Sequence, residues 1–129
     1  MILVESSVWV DFFSSSPRRA GGELRRMIEE SEPFALTGVV VAELLQGLTR
    51  DAGRIEQFLA RWDMLEPKGF ATYRMAAEIY REARGKGMPL TTIDTLIAAI
   101  ALEHRASLFT LDRDFSRIAL ITRLMLYRF

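Results

Sequence analysis

The sequence contains no cysteine and only one histidine, His104. The absence of cysteine excludes a disulfide framework, a thiolate zinc site and a cysteine nucleophile. A single histidine cannot supply a histidine pair for acid–base catalysis or a histidine-rich metal site. Any chemistry that this chain performs must therefore depend mostly on carboxylates.

Lysine is also scarce, because Lys68 and Lys86 are the only two and arginine supplies the other 15 of the 17 basic residues. The acidic residues also number 17, so the zero net charge does not by itself indicate binding to nucleic acid or to a membrane. Arginine suits phosphate partners, although a compositional bias explains the excess equally well. No apolar run approaches the ~20 residues of a membrane span, and no basic leader precedes the first apolar residues. We therefore expect a soluble, cytoplasmic protein.

A chain of 129 residues has the size of one domain, which we expect to span residues 1–129. Short apolar runs predict strands, and they alternate with longer segments of helical periodicity. Strands separated by helices of ten or more residues favour a parallel sheet that is covered on both faces. The predicted fold is a three-layer α/β/α sandwich with four to five short strands. The predicted strands cover residues 1–4, 34–36, 107–111 and 124–127, with a strand fragment or connection at 64–65.

Acidic side chains follow the predicted strands. Glu5 comes directly after the first strand, Asp112 comes directly after the strand at 107–111, and Asp114 follows two residues later. Glu43 lies in the helix after the second strand, and Asp94 lies in the first turn of a helix that Thr92 would cap. Open α/β sheets bind ligands in the crevice beyond the carboxyl ends of their strands. These acids could therefore converge there.

Converging carboxylates repel one another, and a divalent cation would resolve that repulsion. Ligation by oxygen alone selects magnesium or manganese over zinc and suggests phosphodiester chemistry, in which two ions can lie ~4 Å apart. Each acid also has a structural interpretation: Asp94, Asp112 and Asp114 could act as helix caps, and Glu43 could be a solvated helix residue. Spacing alone leaves these interpretations equally open.

Four segments, in order along the chain, resemble PIN-domain ribonucleases, particularly the VapC-type toxins of type II toxin–antitoxin systems. Each segment is weakly diagnostic alone, but the ordered set covers residues 1–118 and is specific. The segments are MILVESSVWVD at 1–11, VAELLQGL at 41–48, TIDTLIAAIA at 92–101 and LFTLDRDF at 108–115.

The resemblance implies a PIN fold and a magnesium- or manganese-dependent endoribonuclease that acts on structured RNA such as tRNA or rRNA. It maps the family acids, which would be both catalytic and metal-binding, onto Glu5, Glu43, Asp94 and Asp112, with Asp114 as an accessory or alternative fourth acid. It also implies a homodimer and a VapB-like antitoxin that blocks the crevice.

Polar and basic residues near these acids are candidates for substrate binding. Ser6 or Ser7 would help to orient the first carboxylate, and Arg113 and Arg117 flank the last two acids. Setting the five candidate acids aside leaves twelve acidic against seventeen basic residues, so the rest of the chain carries a formal charge of +5. This charge is compatible with RNA binding, although any one arginine could equally be solvated or paired within its helix.

Glu5 departs from the family pattern, which has aspartate at this position. Glutamate keeps the charge but adds a methylene, and magnesium demands near-ideal octahedral geometry. A misplacement of ~1 Å can cost about a hundredfold in rate. We therefore expect weaker metal binding and slower cleavage than aspartate would give. The alternative hypothesis is an impaired PIN-like module that binds antitoxin or RNA without efficient cleavage.

Overall fold

A parallel sheet of four very short strands forms the centre of the protein. The structure is a computed structural model that describes residues 1–129. The strand order is β3-β2-β1-β4, and every neighbouring pair is parallel. The strands are β1 (Ile2–Val4), β2 (Ala35–Leu36), β3 (Asp63–Met64) and β4 (Ser107–Phe109). This arrangement confirms the predicted parallel sheet, with the first strand of the chain in an inner position.

Seven helices surround the sheet, and they form two groups. Helices α1 to α4 contact one another, as do helices α5 to α7. Two separate helix groups agree with a helical layer on each face, as in the predicted three-layer sandwich. None of the helices combines the length and the apolar character that a membrane span requires. The helices are α1 (Ser6–Phe13), α2 (Arg19–Glu29), α3 (Gly38–Gly47), α4 (Ala52–Leu59), α5 (Phe70–Gly85), α6 (Thr92–Glu103) and α7 (Arg113–Ile121).

The prediction of a fifth strand at 124–127 is wrong. This segment forms only an isolated parallel bridge, between Leu126 and Leu108 of β4. Backbone hydrogen bonds reach the single residue Leu108 from both sides of Leu126, which is too little for a ladder. Side chains hold the segment as well, because the Tyr127 hydroxyl donates to Glu23 Oε2 of α2.

The predicted cap of α6 is displaced by one residue, and α1 begins after an acidic residue. Glu5, rather than either of the serines after it, occupies the N-cap position of α1, and its side chain makes no capping bond. Thr91, rather than Thr92, caps α6, because its Oγ1 accepts a hydrogen bond of 3.1 Å from the backbone N–H of Asp94. The serine hydroxyls of α1 are therefore free to contact carboxylates.

The hydrophobic core fixes the strands and helix ends that carry the candidate acids. Leu3 and Val4 of β1 and Leu108 and Phe109 of β4 are all fully buried. Helix α6 is buried over the run 97–101, and its first turn leads directly into that buried run. The carboxyl ends of β1 and β4 consequently meet side by side, with Val4 paired to Phe109.

Helices α1 and α2 approach closely because α2 contains a glycine at the contact. The backbone N–H of Gly21 donates to Asp11 Oδ2 at 2.7 Å, and the N–H of Arg18 donates to the same carboxylate at 3.1 Å. A Cβ at position 21 would lie 2.9 Å from Asp11 Oδ2 and 2.9 Å from the backbone nitrogen of Phe12. Glycine at position 21 therefore allows Asp11 to cap α2.

Candidate metal centre

Three aspartates come together beyond the carboxyl end of β4. Carboxylate oxygens of Asp94, Asp112 and Asp114 all lie within 4.8 Å of one another. Asp94 arrives from the first turn of α6, whereas Asp112 and Asp114 belong to the start of α7. Asp112 Oδ1 also accepts a hydrogen bond of 2.9 Å from the backbone N–H of Asp114, which caps α7. Asp112 therefore caps α7 and belongs to the acidic group at the same time.

Asp94 has the most informative electrostatics of the three. Burial, and after it the charges of Asp112, Asp114 and Glu5, raise the pKa of its carboxyl from 3.8 to about 6. A hydrogen bond with Thr91 opposes this shift. Desolvation and like charges both disfavour the ionised form. In the metal-free protein, the ionised form of Asp94 is therefore less stable than it would be in water.

Glu5 lies just behind this group and is almost completely buried, with 6% of its surface exposed. Its Oε1 accepts hydrogen bonds from Ser7 Oγ at 2.5 Å and from Thr110 Oγ1 at 2.6 Å. Burial raises the pKa of Glu5, the two hydroxyls lower it in part, and the charge of Asp112 raises it. Both hydroxyls engage the same oxygen, which leaves Oε2 free of side-chain hydrogen bonds.

Two hydroxyls connect Glu5 to the loop that carries the aspartates. The backbone N–H of Leu111 donates to Ser7 Oγ at 2.8 Å, and the N–H of Asp112 donates to Thr110 Oγ1 at 3.0 Å. Because each hydroxyl accepts from the loop, its proton points to the carboxylate. The ends of β1 and β4 are therefore coupled through side chains as well as through the sheet.

Glu43 is not brought into the three-aspartate group. It is exposed on α3, and its Oε1 accepts a hydrogen bond of 2.6 Å from Ser6 Oγ. The two predicted serines thus contact different acids, since Ser7 orients Glu5 and Ser6 holds Glu43. Glu43 remains a candidate at the edge of the site, connected to it through the first turn of α1.

The two candidate arginines of α7 differ from each other. Arg113 is exposed and takes part in none of the five ion pairs of the structure. Arg117 places Nη1 3.1 Å from Asp114 Oδ1. Among the basic residues of α2, Arg26 binds three glutamates, so it is a structural ion-pair centre.

Two positioning hydroxyls, those of Thr91 and Thr110, were not expected from the sequence. Thr110 stands two residues before Asp112 at the end of a strand, and this spacing was the available signal. Thr91 precedes the predicted cap by one residue, so only the backbone conformation distinguishes the two threonines.

The donors of this site fit a hard divalent cation. The carboxylates supply only oxygen, the nearest basic side chain reaches only one of the three aspartates, and no sulfur or imidazole is present. Magnesium and manganese prefer such ligands. Neutralising three close carboxylates would also remove the repulsion that raises the pKa of Asp94. The arrangement can therefore hold a cation for which phosphate oxygens are natural partners.

The chain is similar to proteins of a known family. The family model described as "PIN domain" matches residues 2–121. Ribonuclease VapC11 of Mycobacterium tuberculosis is 36% identical over 128 residues, which cover 96% of each chain. Among solved structures, VapBC2 from Rickettsia felis, bound to a DNA fragment from its promoter, matches with a TM-score of 0.77 at 23% identity, covering 100% of this chain and 99% of that one.

A second solved structure is the M. tuberculosis toxin VapC20, described as cleaving the sarcin–ricin loop. It matches with a TM-score of 0.67 at 17% identity, covering 91% of this chain and 94% of that one. At these identities the structural matches establish the fold. The family-model match and the 36% identity over nearly the whole chain establish the family. The protein belongs to the PIN-domain family and, within it, to the VapC ribonucleases.

Proposed function

We propose that this protein is a metal-dependent endoribonuclease toxin formed by a single PIN-like domain over residues 1–129. The observation that carries the proposal is the convergence of Asp94, Asp112 and Asp114 within 4.8 Å, beside the buried Glu5. Separate helices and strands supply these acids, and no structural role requires all of them to meet. Family membership adds the expectation of RNA as substrate.

Asp94, Asp112 and Asp114 would hold Mg²⁺ or Mn²⁺, with Glu5 behind them and Glu43 at the edge. When bound, a divalent cation supplies an activated water and stabilises the leaving oxygen of a phosphodiester. The chain itself orients the acids: Ser7 and Thr110 fix Glu5, and Thr91 fixes the first turn of Asp94's helix. Asp94, with its raised pKa, must lose its proton before it can act as a ligand.

Basic side chains at the start of α7 are the proposed contacts to the RNA backbone. Arg113 is exposed next to two of the acids, and Arg117 is one turn further along the helix. Ser6 and Ser7 face the same edge through their bonds to Glu43 and Glu5. The related toxin that cleaves the sarcin–ricin loop supports structured RNA as the substrate class.

The related VapBC complexes support a VapB-like antitoxin as partner. We further propose that the toxin forms a homodimer or a toxin–antitoxin hetero-oligomer and acts in the cytoplasm, where both RNA and antitoxin would be met.

One observation favours the second candidate, an impaired module that binds antitoxin or RNA. The Glu5 carboxylate is not a member of the group whose oxygens lie within 4.8 Å, and two hydroxyls hold its Oε1. Aspartate at this position, with a shorter side chain, is the family pattern. Whether Glu5 is a natural or an altered residue, its effect is measured by comparison with Glu5→Asp.

The experiment that tests the proposed function measures RNA cleavage by the full chain with Mg²⁺, with Mn²⁺ and with a chelator. We expect cleavage with either ion, none with the chelator, and recovery when the ion is restored in excess. Asp94→Asn should abolish cleavage, and Asp63→Asn on exposed strand β3 is the matched control. Cleavage that persists in chelator, or in Asp94→Asn, would contradict the proposal. Binding of RNA without cleavage in the parent, but with cleavage in Glu5→Asp, would favour the impaired module.

A further inference from the structure

One basic side chain already contacts the candidate metal centre. Arg117 Nη1 donates a hydrogen bond of 3.1 Å to Asp114 Oδ1 from one turn further along α7. Neither Asp94 nor Asp112 takes part in any of the five ion pairs of the structure. The charge compensation within the three-aspartate group is therefore uneven, because it falls on Asp114 alone.

We propose that Arg117 is a built-in counter-cation of this centre, which neutralises Asp114 in the metal-free protein and competes with a divalent cation for its carboxylate. The inference rests on the proposed function, because it requires metal binding at the aspartates. It also separates the roles of the two acids of α7. Asp112, together with Asp94, is open to a cation at once, whereas Asp114 becomes available only as the guanidinium withdraws.

The contact between Arg117 and Asp114 is weak enough to be exchanged. The Arg117 side chain is 51% exposed and that of Asp114 is 30% exposed, and one nitrogen forms the contact. Exposed pairs of this kind contribute little to stability, since solvent screens both charges. Displacement of the guanidinium therefore should not unfold α7.

Arg26 shows what a permanent ion pair looks like in the same molecule. It binds Glu23 through two nitrogens, at 2.8 and 2.9 Å, and it also binds Glu32 through two nitrogens, both at 3.0 Å. A guanidinium held by several carboxylates in this way loses several hydrogen bonds when it moves, so its displacement costs more free energy. Arg117, by contrast, has a single partner, and that partner is a candidate metal ligand.

Arg113 provides a matched control for the test. It lies on the same helix, carries the same charge and is exposed beside the same acids, but it forms no ion pair. A general effect of positive charge on the acidic group would appear in Arg113→Gln and Arg117→Gln alike. A competitive effect through Asp114 would appear in Arg117→Gln alone.

The experiment titrates Mn²⁺ alone, without RNA, into the chelator-stripped full chain by isothermal calorimetry. Because the exposed ion pair is weak, freeing the Asp114 carboxylate in Arg117→Gln should tighten Mn²⁺ binding about three- to fivefold. Arg113→Gln should stay within about twofold of the parent, because screening weakens charges that make no contact. Arg117→Lys, which keeps the charge, should remain close to the parent.

A double-mutant cycle then asks whether Arg117 acts through Asp114. In the Asp114→Asn background, Arg117→Gln should no longer tighten Mn²⁺ binding, because the carboxylate for which Arg117 and Mn²⁺ compete is gone. Melting curves of the stripped variants should agree with that of the parent, which would exclude altered folding as the cause.

Several results would overturn the inference, and they differ from the failure of the proposed function. Unchanged or weaker Mn²⁺ binding in Arg117→Gln, with normal binding by the parent, removes the counter-cation and leaves the nuclease proposal intact. An equal gain in Arg113→Gln has the same consequence. A loss of RNA affinity in Arg117→Gln without any change in Mn²⁺ affinity would assign Arg117 to RNA alone. An absence of Mn²⁺ binding in the parent and all variants would remove both the inference and the metal dependence.

Discussion

Replacing Asp94 with asparagine should raise the stability of the metal-free protein and abolish its RNA cleavage. The pKa of Asp94 rises from 3.8 to about 6, mainly through burial and then through the charges of the neighbouring acids. A shift of two units corresponds to a cost of about 3 kcal/mol for the ionised form, at 1.36 kcal/mol per unit. Asp94 is only half-buried, and solvent screening reduces the expected cost to about 1–2 kcal/mol. Asparagine has nearly the same shape and carries no charge, so Asp94→Asn should stabilise the metal-free fold by that amount.

The sign of this effect also fixes its pH dependence. Below about pH 4 the carboxyl is protonated in both the folded and the unfolded chain, so it contributes no cost. The cost develops as the pH rises towards 6 and is fully present above that value. The advantage of Asp94→Asn should therefore be largest near neutral and alkaline pH and should shrink towards zero near pH 4.

Urea denaturation in the presence of a chelator, at about pH 4 and at about pH 8, measures this difference directly. The expected gain at the higher pH corresponds to a rise in melting temperature of roughly 3–8 °C for a chain of this size. The same variant should lose RNA cleavage and most of its Mn²⁺ affinity. Asp63→Asn on β3, exposed and outside the acidic group, is the control and should change neither property. An Asp94→Asn protein that is no more stable than the parent at pH 8, or that still cleaves RNA, would refute the reasoning.

Three further predictions concern the residues around the site and the α1–α2 contact. Thr110→Val removes one of the two hydroxyls that lower the pKa of the buried Glu5, so that pKa should rise. The pH needed for half-maximal Mn²⁺ binding should rise with it, and a titration with an unchanged midpoint would contradict this role. Glu5→Asp should bind Mn²⁺ more tightly and cleave RNA faster than the parent, and equal rates in a single-turnover assay would show that this site accepts glutamate without loss. Gly21→Ala should destabilise the fold by about 1–3 kcal/mol, because its Cβ would meet Asp11 and the Phe12 backbone at 2.9 Å. Gly22→Ala, with no atom within 4 Å, should instead stabilise α2 by up to about 1 kcal/mol, and urea unfolding of the pair would reveal any departure from these opposite signs.

Strands β1 and β4 were predictable because their residues are mostly apolar and show no strict alternation of apolar and polar side chains. The run at 1–4 and the run at 107–111 are typical of strands buried on both faces, and the structure places Leu3 and Leu108 in the core. Strand β3 has only two residues, both exposed, so no apolar pattern could fix its position. The segment at 124–127 has an apolar pattern similar to that of a strand, but its register against β4 depends on long-range contacts that the local sequence does not encode.

The acids at the strand ends were predictable from topology, because the carboxyl ends of parallel strands share one edge. Glu5 and Asp112 follow the neighbouring strands β1 and β4, as that rule expects. Asp94 begins a helix that follows α5 and not a strand, so the rule does not place it beside Asp112 and Asp114. The partner of each side chain was not predictable, since adjacent serines on α1 contact different acids, Ser6 holding Glu43 and Ser7 holding Glu5. The ion pair of Arg117 was one of two interpretations that the sequence left open, and only the folded structure decides between them.

The pairing of β1 with β4 has a consequence for the synthesis of the protein. Residues 2–4 find their partners at 107–109, so β1 cannot complete its pairing during synthesis until β4 has emerged. Glu5 gains the Thr110 hydroxyl, and Asp94 gains its neighbours on α7, only after that segment has emerged. A growing polypeptide therefore carries the separate acids but not their assembled cluster. The acidic cluster is expected to form only once β4 has left the ribosome and docked beside β1.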